Sequence, residues 1–275
     1  MLQTGVFSKR EANLGLFQGE CSKQRCQRTS RLNITTQAVN ITATTNVHYE
    51  IRIASSAAEL RAAAYLRAHS FYHYPEGRSV IAARAHRRMK GDSEWESVTS
   101  KVSGTDVIYK DMKVKCIIAA MSEDQENNIC HQVNQDMDLS TKLPANPDAG
   151  YYCPQLVIGS LDLNVGSVLP AEELIGKLPE VDAKTRRAYL SNVCVAKAAQ
   201  RQGIAQALML TAEQEARREG VQHLYVHVVL DNEPAVKLYQ RLDFELEAEE
   251  SVGFARALDR PRRKLLHKCL QNVTV

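Results

Sequence analysis

The chain has 275 residues, 44% of them hydrophobic, and a formal net charge of +3. That length suits one domain of about 200 residues with appendages, and no apolar run approaches the roughly 18 to 20 residues a membrane-spanning helix needs. The positive charge is local: residues 1–48 carry six basic side chains (Lys9, Arg10, Lys23, Arg25, Arg28, Arg31) against two acidic ones (Glu11, Glu20), so the remainder sits near −1 and gives no support for nucleic-acid binding.

Rich in Ser, Thr, Asn and Gln and without periodicity, residues 1–48 have the composition of an organellar transit peptide. The segment begins nearly uncharged and becomes Thr-rich towards Thr45. This favours the plastid (chloroplast) over the mitochondrion; a disordered tail is the plain alternative. The seven cysteines form no C-x-x-C pair, and reduced thiols are expected, with Cys116 and Cys194 serving as small strand hydrophobes. No metal site is expected.

After the tail, Tyr49 to Ala54 alternates at period two and reads as a strand. Ser55 or Ser56 caps a helix from Ala57 to about Tyr74, with Leu60, Ala64 and Arg67 marking its turns and Pro75-Glu-Gly77 ending it. A second helix follows from Arg78 into the 90s, with Gly91-Asp92 as a candidate break. Strands are predicted over Lys113–Ala120 and Gln155–Val165. Between them, about 122–154 form an insertion too long for a hairpin loop, with Glu123, Asp124, Glu126, Asp136, Asp138 and Asp148 against one lysine, Lys142. It reads as a solvated insertion, or as an acidic lip that attracts basic substrate tails.

An apolar run, Val168 to Ile175, suggests a helical turn in the next connection. Then come a strand over Arg187–Lys197, a helix over Arg201–Glu219 stopped by Gly220, and a strand over Val221–Leu230. Asp231 or Asn232 caps a further helix with Pro234 in its first turn, where a missing N–H costs nothing. Phe244 to Glu250 and Arg263 to Leu270 close the order β-α-α-β-β-β-α-β-α-β-β. The fold class is therefore α/β (α+β), a mixed sheet with helices on it, spanning 49–275.

Gly203 and Ala205 open a helix directly after a strand, where unpaired amides and the positive end of the helix dipole make an anion site. A phosphate or pyrophosphate fits there, and Gln200 and Arg201 can add side-chain donors. A Walker loop is excluded by the missing Gly-Lys-Ser/Thr, and a dinucleotide fingerprint by the missing glycines.

Two motifs then carry a resemblance. Gln200-x-x-Gly203-x-Ala205 and Asn232-Glu-Pro-Ala235-Val-Lys-Leu238-Tyr239 are similar to the two signature motifs of the GCN5-related N-acetyltransferase (GNAT) superfamily, in the strand-helix-strand-helix setting that superfamily uses. The resemblance spans about 49–270 and is sharpest over 187–244. It implies a mostly antiparallel GNAT-like sheet and acetyl-CoA as co-substrate. It also implies a pantetheine arm along Val193, Cys194 and Val195, with the pyrophosphate on the amides of Arg201, Gln202, Gly203, Ile204, Ala205 and Gln206. Asn232 would contact the cofactor arm, and Tyr239 would be the general acid that protonates the departing thiolate, a role its phenol suits. A backbone N–H near Val193 to Val195 could stabilise the oxyanion.

One position departs from the pattern: Asp243 stands where the family usually has Gly, at a left-handed helix end that Asp tolerates. Many relatives use a strand glutamate as base, but Tyr189 to Val195 contain none. Tyr189 and His227 match the tyrosine and histidine that hold a relay water in N-terminal acetyltransferases acting on Met-starting chains. The Tyr189-Leu-Ser-Asn-Val-Cys-Val195 strand most resembles plant plastid-type members, associated with acetylating protein N-termini and lysine side chains. The expected partners are thus protein or peptide N-termini and lysines, with no nucleic acid and no membrane. A small-amine acetyltransferase and a non-catalytic acyl-CoA-binding module are the alternatives; the latter would be expected to have a damaged acid position, and Tyr239 is intact.

Overall fold

A computed structural model describes residues 48–75, 77–123, 128–137, 140–149, 151–166 and 186–270. The transit-like segment, from residue 1 to 47, and the apolar run Val168 to Ile175 lie outside the described residues.

Strand β1 (Glu50–Ile53) leads into helix α1 (Ala57–Phe71) through a capping box: Ser56 accepts from the Glu59 amide while the Glu59 carboxylate accepts from the Ser56 amide. α1 ends three residues earlier than the sequence suggests, because Tyr72 is already extended. Helix α2 (Val80–Val102) runs unbroken through the expected break at Gly91. Gly91 is buried, and one residue on, Tyr65 of α1 donates to Asp92 at 2.7 Å. Packing against α1 thus overrides a glycine helix penalty of about 1 kcal/mol.

Strand β2 (Lys113–Ser122) is followed by helix α3 (Asn128–Asp136) and the two-residue strand β3 (Lys142–Leu143). This corrects the expected loop over 122–154: Cys130 and Val133 of α3 enter the core, and β3 pairs with the next long strand. α3 packs on the short turn Lys197–Ala199, just ahead of the glycine motif.

Strand β4 (Gln155–Gly166) and strand β5 (Arg186–Val195) precede helix α4 (Ile204–Arg218), strand β6 (Val221–Val229) and helix α5 (Glu233–Arg241). Asn232 caps α5, its side chain accepting from the Ala235 amide. Strand β7 (Glu245–Glu249), the unexpected short helix α6 (Val252–Ala257) and strand β8 (Arg263–Cys269) complete the order. The helices α3 and α6 and the strand β3 are thus additions to the expected order.

The sheet runs β1-β2-β4-β5-β6-β8-β7, with β3 on β4, and every pairing is antiparallel except β5 with β6. Successive residues of β4 serve opposite faces. Ser160 and Asp162 meet Arg67 of α1, whereas a Cβ at Gly159 would stand 3.0 Å from both Ile204 and Leu208 of α4. Only glycine at 159 lets α4 lie this close to the sheet.

Candidate active site

The parallel pairing of β5 with β6 stops at Leu190 opposite Val226. Beyond it, β5 continues to Val195 bonded only to β4, and β6 continues to Val229 bonded only to β8. Two strand edges therefore face each other across an opening. Ala196 N–H turns to Ile158 O of β4 at 2.8 Å, so alternation aims the N–H and C=O of Val195, and of Val193 before it, into that opening. Gln200 lies at its foot and donates to Val195 O at 3.3 Å.

The glycine turn closes the same end. Arg201 (φ 65) and Gly203 (φ 75) are both left-handed, and Gly203 caps α4 without a side-chain bond. The first amides of α4 are left for a ligand, and consecutive amides in such a turn form an anion-binding concavity. A Cβ at Gly203 would meet only Tyr49 Oη, at 3.9 Å, so the space over the turn is open. The expected set Gln200, Arg201, Gln202, Gly203, Ile204, Ala205 and Gln206 is thus gathered in one turn, beside the open edge carrying Val193 to Val195. Cys194 is buried and points away from this edge chemistry, its thiol raised to about 11 by burial.

Tyr189 and His227, on neighbouring strands, meet directly: Tyr189 Oη lies 2.9 Å from His227 Nδ1, with the rings edge to face. No water is needed between these two atoms. The open valence is His227 Nε2, which is buried and has no hydrogen-bond partner among the described residues. Burial, then the positive field of Arg263, drops His227 to about 4, so its imidazole is neutral at neutral pH. Burial raises Tyr189 to about 12 against the pull of Arg263. Tyr239, on α5, packs edge to face on Phe244 at 5.8 Å; burial, and then the nearby Tyr189, hold its phenol well above the usual range. Tyr239 therefore stays protonated. Asp243 sits at φ 61, the left-handed end expected of it.

Glu250 and its arginines frame the His227 side. Its carboxylate, held below the usual range despite burial, accepts from Arg260 at 2.8 Å and from the Arg263 amide at 2.9 Å. Among the described residues no group of three or more His, Cys, Asp or Glu is placed to hold a metal ion, even though His223 and His227 stand four apart on β6. No helix among them is long and apolar enough to cross a membrane.

Two features escaped the sequence. Tyr49 was read only as the start of a strand, yet it stands over the glycine turn. Arg67 was read as a helix-turn marker, yet it is 1% exposed and ion-paired with Asp162 at 2.6 Å. A charged residue on the apolar Leu60-Ala64 stripe, matched by Asp162 and Asn164 inside an otherwise apolar strand, was the available signal.

The model of the Acetyltransferase (GNAT) family matches residues 157–244. The chain is 35% identical over 209 residues to GCN5-related N-acetyltransferase 7, chloroplastic, of Arabidopsis thaliana, covering 76% of this chain and 71% of that protein. It is 29% identical over 192 residues to GCN5-related N-acetyltransferase 6, chloroplastic, of the same plant, covering 67% of this chain and 57% of that protein. Among solved structures it is similar to Arabidopsis thaliana NAA60 in complex with acetyl-CoA, with a TM-score of 0.47, 14% identity, and coverage of 81% of this chain and 99% of that one. It is also similar to PaiA N-acetyltransferase from Thermoplasma acidophilum in complex with coenzyme A, with a TM-score of 0.44, 14% identity and the same coverage.

Proposed function

The chain belongs to the GNAT family of acetyltransferases, and we propose that within it this protein acetylates protein N-terminal α-amines, and lysine ε-amines as a second acceptor class, by direct attack on acetyl-CoA in a ternary complex. The observation that carries this reading is the bonded pair Tyr189–His227, with Nε2 of the histidine left open beside the parted strands.

The residues present fit acetyl-CoA. The left-handed turn at Arg201 and Gly203 and the free amides of α4 suit a pyrophosphate, and the open edge at Val193 and Val195 suits an amide-bearing arm that pairs like a strand. The co-substrate supplies a thioester whose carbonyl carbon an amine can attack. Asn232, already engaged as the cap of α5, can meet the cofactor arm with its remaining amide group.

An amine acceptor arrives largely as ammonium and must lose a proton first. With Nδ1–H donating to Tyr189 Oη, His227 Nε2 carries the lone pair that takes this proton, directly or through one water. The amine nitrogen then bonds to the carbonyl carbon and the carbon–sulfur bond breaks. Edge amides of β5 meet the charge on the carbonyl oxygen. Tyr239 O–H passes its proton to the departing thiolate, and its raised pKa keeps that proton available throughout the neutral range.

The compartment follows from two observations. Both relatives above carry the designation chloroplastic, and residues 1–48 have a transit-like composition, so we assign the protein to the plastid, with 49–275 as the working domain. The acceptor class is tested by thiol release from acetyl-CoA with three acceptors: a peptide with a free N-terminus and no lysine, the same peptide with a blocked N-terminus, and a polyamine. Release with the first and not the second supports the reading. Faster turnover with the polyamine than with any peptide would replace it by the small-amine alternative.

A further inference from the structure

The opening between β5 and β6 begins where β5 changes shape. Along β4, Ser160 pairs with Cys194 and Asp162 with Ser191. Two steps on β4 thus answer three on β5, so β5 carries one extra residue, a bulge. Within it lies Asn192, at φ 56, a left-handed conformation that asparagine tolerates better than most non-glycine residues.

Its surroundings are specific. Asn192 Nδ2 donates to Asp162 Oδ2 at 2.8 Å. The same carboxylate takes two bonds from Arg67, Nη1 to Oδ2 at 2.9 Å and Nη2 to Oδ1 at 2.6 Å. Arg67 is in turn held by Ser160 Oγ, which accepts from Nη2 at 2.8 Å and from Nε at 3.2 Å, and by Cys116 Sγ at 3.2 Å. Arg67 and Asp162 are each about 1% exposed. A bidentate pair of this kind fixes direction as well as distance. It reaches from the middle of α1, through β4, to the bulge of β5, two residues beyond Leu190, where the parallel pairing with β6 ends.

We propose that Arg67 and Asp162 are positioning residues for the co-substrate: through Asn192 they hold the bulge that turns the Val193–Val195 edge of β5 towards the arm of acetyl-CoA. This rests on the acetyl-CoA reading above. None of the three side chains touches a reacting atom. Their effect runs through backbone direction, and an edge misaimed by a fraction of a residue cannot form two strand-like bonds at once.

Asn192→Gly separates the tie from the conformation, because glycine adopts positive φ without strain but carries no side chain to bond Asp162. In the full chain, the variant is expected to keep the wild-type peptide KM while its KM for acetyl-CoA, and its calorimetric Kd for CoA, rise about tenfold. Arg67→Lys keeps the buried charge and loses the bidentate fork, and is expected to show the same split to a smaller degree. A merely structural role would lower the melting temperature and leave the CoA Kd, read well below it, unchanged. Wild-type CoA affinity in Asn192→Gly would overturn the proposal, and if that variant fails to fold, wild-type CoA affinity in Arg67→Lys decides against it equally. A wild-type chain that binds no CoA would instead overturn the acetyl-CoA reading itself.

Discussion

From β1 to β4 every neighbouring strand is paired, and the sheet interior there is closed: Ile117, Ile118, Leu161 and Leu163 are all fully buried, and the charged side chains inside, Arg67 and Asp162, satisfy each other. From β5 to β8 the same sheet parts beyond Leu190, and its polar atoms are left half-used: the Val193 and Val195 edge, the first amides of α4, and His227 Nε2. One half is built to stay folded and the other to meet a ligand. Fully satisfied polar groups rigidify a core, whereas open valences on a rigid frame make a site. The Asn192 bulge is the seam between the two.

The largest effect should come from breaking the closed half. Asp162→Leu strands the Arg67 guanidinium in the core and should cost about 3–5 kcal/mol by chemical denaturation; the double variant Arg67→Met/Asp162→Leu should recover most of it. A double variant no better than the single would show that the pair is needed for more than mutual neutralisation. In the open half, Tyr239→Phe should lower kcat by about 100-fold while shifting the melting temperature by only a few degrees, since the ring and its Phe244 contact remain. Loss of fold with loss of activity would erase the distinction between the halves.

Next in size is the pH dependence. As the proposed base His227 would act only when neutral, and burial with the field of Arg263 lowers it to about 4, so activity should be lost as pH falls through about 4 and not through about 6.5. His227→Phe should remove that acidic limb from the kcat profile, with kcat about tenfold lower above it. An unchanged profile would dispose of the histidine as base. The smallest effect is Asp243→Gly, at the end of α5: relieving a non-glycine residue at φ 61 should stabilise the chain by about 0.5–1 kcal/mol and leave turnover alone.

Legibility in the sequence divides along the same seam. The turn at Gly203 and the Asn232 cap are set by short-range spacing, so they could be read residue by residue; Tyr189 and His227 were reached through the family resemblance, as holders of a relay water, and they bond each other directly. What was missed depends on contacts far apart in the chain. Arg67 and Asp162 are 95 positions apart, and the place of Arg67 on the apolar stripe of its helix hints at burial without saying which residue answers its charge. α3 was hidden by its many polar residues; Cys130 and Val133, with Ile129 packed beside them, anchor it. Gly91 sits mid-helix because α1 packs there, a tertiary reason that propensity cannot show.

Acetyl transfer to protein amines at the parted strands, as proposed, leaves a covalent trace on its acceptors. Mass spectrometry of protein N-termini and lysines, after expressing the full chain in a bacterial host with Tyr239→Phe as control, reads that trace. If this protein transfers acetyl groups to protein amines, new acetyl groups appear on N-terminal amines, with some on lysines, and vanish in the control. An acetylation pattern identical in the two cultures would contradict it.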